Sequence, residues 1–148
     1  MKSAFCSLPL SMFFAACGTV MDWRELRTEP MTLGECYDGF AYVAGKDGFA
    51  GDAPASDRGL GTWQSRWRLR QLGLNRPGRY RLRAEIFVDE GSTEKGWPIR
   101  YAIEQEKVKD LGHSMAPREE DWSADGQDRE REVILGEKLV RRLAPRRH

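Results

Sequence analysis

The chain has 148 residues, with 24 Lys and Arg against 23 Asp and Glu, three Cys and two His. That length suits one core rather than two, and the near-neutral balance argues against a general nucleic-acid binder, which is usually basic overall. With 40% hydrophobic and 32% charged residues it is not a typical disordered chain, and it has no apolar run of the ~18 residues that a membrane-spanning helix needs. Three cysteines are too few for a disulfide scaffold and two histidines leave little for a His-rich metal site, so no cofactor or metal is expected.

Lys2 is the only charge before Asp22. Between them lies a short apolar run, Ala4 to Ala16, which reads as a signal peptide because it is too short to span a bilayer. It ends Phe14-Ala15-Ala16-Cys17. Small residues just before a cysteine resemble the lipobox of bacterial lipoproteins. The resemblance implies cleavage before Cys17, a lipid on that cysteine, and a place in the cell envelope. Several acyl chains at ~0.8 kcal/mol per buried methylene make a durable anchor without a spanning helix. No Asp follows Cys17, which favours the outer membrane by the enterobacterial pattern. The alternative is a cytoplasmic protein whose translation starts at Met21. The expected organisation is a signal peptide over 1–16, a lipidated N-terminus and tether over 17–31, one domain over 32–144, and a basic tail over 145–148.

Within the domain, Thr32-Leu33-Gly34-Glu35 fits the capping box that opens a helix. Cys36, Tyr37, Phe40, Ala41 and Ala44 then share one helical face, and Gly45 or Gly48 can close it. Gly39 speaks against this helix, since an interior glycine costs ~1 kcal/mol against Ala. Residues 45–62 hold five glycines and read as loop. Three alternating stretches follow. Trp63–Arg70 sets Trp63, Ser65, Trp67 and Leu69 against Gln64, Arg66, Arg68 and Arg70. Gly78–Asp89 sets Tyr80, Leu82, Ala84, Ile86 and Val88 against Arg79, Arg81, Arg83, Glu85 and Phe87. Trp97–Lys107 sets Ile99, Tyr101 and Ile103 against Arg100, Ala102, Glu104 and Glu106. Period-two alternation predicts an antiparallel sheet with one buried and one wet face. Residues 110–127 read as a polar loop. Asp128 can cap a last helix, with Val133, Leu135, Leu139, Val140 and Leu143 apolar and Pro145 as its stop. The expected fold is α+β and two-layered: helix, three-stranded antiparallel sheet, helix. A small β-sandwich is the alternative.

The enzyme motifs are missing: no Gly-x-Ser-x-Gly, no phosphate loop, no His-Glu-x-x-His and no Cys-x-x-Cys. His113 sits in the polar loop. Glu119, Glu120, Asp121 and Asp125 surround Trp122, as a wet acidic loop does. Cys36 is on the core face, the place of a small buried hydrophobe rather than a nucleophile. No catalytic activity is expected.

One charge pattern is less ordinary. From Arg58 to Arg83 there are eight arginines and no acid. Arg66, Arg68, Arg70, Arg79, Arg81 and Arg83 alternate outward on the first two strands, and a hairpin would gather them on one surface. Facing like charges destabilise a sheet. The compensation is internal, from Glu85, Glu104, Glu106 and the carboxylates of 119–132, or external, from lipid phosphate, lipopolysaccharide or an acidic partner. Arginine suits either through its bidentate fork.

The order Glu35-Cys36-Tyr37, Gly48-Phe49, Ser56-Asp57-Arg58-Gly59 and Thr62-Trp63, followed by two long alternating strands, resembles small periplasm-facing lipoproteins of outer-membrane protein assembly, the BamC type. The likeness runs from about Thr32 to Lys107 and implies scaffolding or interaction rather than catalysis. The combined expectation is a membrane-anchored, non-enzymatic envelope lipoprotein that meets an envelope protein or anionic lipid and no nucleic acid. The alternative is an anion-binding module working through the six arginines.

Overall fold

The computed structural model describes residues 20–145; Cys17 and the 146–148 end of the basic tail lie outside them. Two helices, α1 (Leu33–Lys46) and α2 (Arg129–Leu143), cover one side of a six-stranded antiparallel sheet. The strands are β1 (Arg24–Arg27), β2 (Thr62–Gln64), β3 (Arg68–Leu72), β4 (Arg76–Ile86), β5 (Pro98–Val108) and β6 (Trp122–Gln127). The α+β class matches expectation. The three-stranded sheet does not: the sheet has six strands, and the β-sandwich is excluded with it.

The reason lies in how short strands share an edge. The long strands β4 and β5 pair along nine positions, from Gly78↔Lys107 to Ile86↔Ile99. The outer edge of β4 takes β3 at one end and β2 at the other. The outer edge of β5 takes β6 and β1 in the same way. The stretch read from sequence as one strand, 63–70, is therefore two strands. β1 comes from residues read as tether, and β6 from residues read as loop.

Each shared edge has a gap, and one buried polar side chain fills it. Between β2 and β3 the Leu82 N–H donates to Ser65 Oγ at 2.9 Å, while the Ser65 N–H donates to the Leu82 carbonyl at 2.9 Å. Between β1 and β6 the Ile103 N–H donates to Glu132 Oε1 at 2.9 Å, and the Asp128 N–H donates to the Ile103 carbonyl. Both side chains are buried. A buried backbone group left unpaired costs roughly 1–3 kcal/mol, which each of these contacts avoids.

The helices form where the sequence signals them. Thr32 Oγ1 accepts the Glu35 N–H and the Glu35 carboxylate accepts the Thr32 N–H, completing the capping box. At the other end Gly48 has φ +87°, its N–H bonds the Gly45 carbonyl, and the Phe49 N–H bonds the Ala44 carbonyl. This is a Schellman ending, which needs a left-handed residue. It drops Phe49 into the core, edge-on to Tyr80 with ring centroids 5.9 Å apart. Asp128 caps α2 by accepting the Arg131 N–H. Gly39 has its explanation here: a Cβ would meet Leu143 Cδ2 at 2.7 Å, so the glycine lets α1 and α2 approach. Cys36, Phe40, Val43 and Ala44 of α1 and Leu135, Leu139 and Leu143 of α2 pack on Leu82, Ile99, Tyr101 and Ile103 of the sheet. Val133 and Val140, expected on the apolar side of α2, are exposed. Cys36 is a free thiol with no exposure, and burial pushes its pKa up to about 12.

Candidate functional site

The side of the sheet away from the helices carries the charges. Antiparallel pairing places Arg79 opposite Glu106, Arg81 opposite Glu104, and Glu85 opposite Arg100. Three charged residues of β4 thus meet their complement on β5, while Arg83 faces Ala102. Arg79 Nε lies 2.6 Å from Glu106 Oε2, and its two terminal nitrogens hold both oxygens of Glu119 at 2.9 and 2.5 Å. Arg81 Nε donates to Glu104, which also lies 3.9 Å from Arg83. Arg100 holds Glu85 at 2.9 and 2.6 Å. Aromatic rings stack on these guanidinium groups. Trp67 is 4.4 Å from Arg79 and 4.3 Å from Arg81, Trp122 is 4.5 Å from Arg79, and Trp23 is 4.7 Å from Arg100. Such contacts are worth about 0.5–2 kcal/mol each, depending on desolvation. Arg79, the most enclosed of the set, keeps only 8% of its side chain exposed. Its hydrogen bond and charge hold the Glu119 carboxyl below its ordinary pKa.

The structure divides the six arginines expected on one surface. Had β2 run on unbroken, Arg68 would face Arg79; it faces Tyr80 instead. One extra residue sits in the break, and every side chain beyond it changes face. Trp67 and Leu69 therefore lie on the side of Arg79, Arg81 and Arg83. Arg68 and Arg70 turn to the helix side, within 5.6 and 5.9 Å of the Tyr80 ring. Arg66 is exposed within the break. Trp63 is the core residue it was expected to be, edge-on to Phe40 at 5.4 Å. Trp67, assigned to the core with it, is not.

The charges are largely matched inside the molecule. Arg70 pairs with Asp128 at 2.8 Å. Of the acidic loop, Glu119 goes to Arg79, Asp121 to His113 at 2.8 Å, and Asp125 to Lys107 at 2.8 Å. The Asp121 hydrogen bond raises the His113 pKa, and the ring stays exposed. Glu132, which the sequence did not single out, is a hub: Arg24, Arg129, Gln127 and the Ile103 N–H all donate to its buried carboxylate. Its signal was a lone Glu three residues before Leu135 on the apolar face of α2. Among the described residues, Arg66, Arg68 and Arg76 have no acidic side chain within ion-pair distance; Arg68 donates instead to the Gly48 carbonyl at 2.9 Å. Among the same residues no group of three or more His, Cys, Asp or Glu is set to hold a metal ion, and no helix is long and apolar enough to cross a membrane.

A partly apolar groove of about 430 Å³ opens between β3 and the 114–117 loop. Leu69, Pro77, Met115, Pro117 and Trp122 line it together with Arg70, Gln71 and Ser114. Leu69 is 77% and Met115 96% exposed.

The fold and this surface define an α+β protein with a charge-zipped sheet face and a partly apolar, arginine-rimmed edge. No family model matches the chain, and no curated protein and no solved structure matches it at a significant level.

Proposed function

We propose that the chain is a non-enzymatic interaction module of the cell envelope, held on a membrane by a lipid on Cys17, with the outer membrane as its expected site. The observation that supports this is the junction between the lipobox-like sequence and the fold. Arg24, the first residue of β1, follows Cys17 by seven residues. At ~3.5 Å per residue that link spans at most about 25 Å. β1 is paired to β5 and tied to α2 through the Arg24–Glu132 contact, so a lipid there holds the whole domain close to a bilayer surface. Labelling of the full-length protein and its Cys17→Ser variant with radioactive palmitate tests the anchor. Label in the first and none in the second is expected; equal label in both, or in neither, overturns it.

A second reading, an anion-binding module, rests on Arg66 and Arg68, which lack an acidic partner among the described residues. Sedimentation with anionic vesicles at two salt concentrations tests it. Salt-sensitive binding lost in Arg66→Glu is expected, and no binding at low salt removes the reading.

A further inference from the structure

The outer edge of β3 is an unfinished row of the sheet. Gln71 lies opposite Pro77, which has no N–H. That pair therefore cannot exchange two backbone hydrogen bonds, so the bonded pairs are Arg68 with Tyr80, Arg70 with Gly78 and Leu72 with Arg76. The Leu69 and Gln71 N–H and C=O groups point the other way, off the edge. Among the described residues nothing pairs with β3 on that side.

The chain already shows what such an edge accepts. Residues 50–52 run along the neighbouring part of it: the Arg66 N–H donates to the Ala50 carbonyl at 2.8 Å, Gly51 bridges Ser65, and the Asp52 N–H donates to the Gln64 carbonyl at 2.8 Å. This added row stops at Arg66. Beyond it the two sides of β3 differ in chemistry. Arg68 and Arg70 lie on the helix side, and the exposed Arg66 sits in the break just before them. Leu69 lies on the other, at the mouth of the groove lined by Pro77, Met115 and Trp122.

We propose that β3 takes an extended segment of a partner protein as a further strand, and that this segment alternates acidic with apolar residues. The acidic residues face Arg66 and Arg68, which no carboxylate of the described chain pairs. The apolar ones lie against Leu69. Backbone bonds to Leu69 and Gln71 supply affinity, and the two-sided chemistry supplies selectivity. The proposal rests on the interaction-module reading and is independent of the lipid, so the palmitate result and this one can fail separately.

The probe is a synthetic seven-residue peptide, Glu-Val-Glu-Leu-Glu-Val-Glu, fluorescently labelled and titrated with the full-length protein at low and physiological salt. A Lys-for-Glu peptide and anionic vesicles serve as competitors. Gln71→Pro removes one outward N–H while leaving every β3–β4 bond, so it folds, as an unchanged thermal midpoint verifies. Saturable binding of the acidic peptide, weakened about tenfold by Gln71→Pro as the loss of a backbone hydrogen bond predicts, and reversed in charge preference by Arg66→Glu with Arg68→Glu, supports the proposal. No binding at low salt overturns it: the arginines then only guard the edge against aggregation. Binding indifferent to Gln71→Pro overturns it, as does displacement by vesicles at the same site with no peptide preference, or a salt-sensitive dimer that occupies the edge with a second copy.

Discussion

The two sides of the β4–β5 pair are built from the same register and obey different rules. On the helix side, Leu82, Ile103 and Ile99 have no exposure and hold by filling volume. On the other side, Arg79, Arg81 and Arg100 hold by matching charge and by lying under Trp67, Trp122 and Trp23. Volume filling tolerates a change of residue only if shape is kept. Charge matching tolerates exchange of partners, because what such a part-buried pair needs is opposite charges at matching positions. The helix side thus carries the stability, while the charged side fixes which strand faces which.

Four measurements sharpen or break that contrast. The largest effect is expected for Glu132→Ala, which strands the Ile103 N–H and two arginines at the edge of the helix layer. Loss of a buried ion-pair partner costs about 3–5 kcal/mol, read by urea unfolding. Leu82→Ala follows at about 2–5 kcal/mol, the range for truncating a closed core site. If either variant unfolds at the urea midpoint of the natural chain, the helix side does not carry the stability.

On the charged side Arg81→Glu alone places two acids opposite each other, and the double exchange with Glu104→Arg restores the pair. A double-mutant cycle should return a coupling of about 0.5–3 kcal/mol. Coupling above 3 kcal/mol would mean that this face is a load-carrying core in its own right.

The smallest effect concerns pH. Arg79 lowers the Glu119 pKa, so that contact stabilises the fold above the ordinary Glu value and is lost as pH falls through the lowered one. Asp121 raises the His113 pKa, so that contact is present below the ordinary His value and is lost as pH rises through the raised one. Tryptophan fluorescence should report the first at the acid end, through Trp67 and Trp122. The alkaline change should vanish in His113→Ala while the acid one stays.

Much of the helix side was legible in the sequence, because burial enforces periodicity. Thr32 with Glu35, Asp128, and the alternation from Tyr80 to Ile86 all mark their elements without tertiary information. The edges were not legible. β1 offers Arg-Glu-Leu-Arg and β6 Trp-Ser-Ala-Asp-Gly-Gln, neither with a run of alternation. They are strands because β5 presents free backbone groups to them, which is a property of the partner. The break at Ser65–Trp67 misled the reading of the arginines for a related reason. One inserted residue is invisible in an alternating pattern until the partner strand counts it, and it moved Arg68 and Arg70 to the opposite side. The internal answer to the arginine charge was visible: Glu104, Glu106 and, from the 119–132 stretch, Glu119 pair as that reading expected, although the strand β6 that brings the stretch alongside was not.

Cys36 gives the folded domain a chemical clock. A thiol with no exposure and a pKa pushed up to about 12 is out of reach of an alkylating reagent as long as α1 stays on the sheet. If Cys17 carries lipid and Cys6 leaves with the first 16 residues, Cys36 is the one sulfhydryl that remains. The rate at which a maleimide modifies the mature protein then measures how often the helix layer lifts. The reagent is the only addition this needs, and no residue has to be substituted.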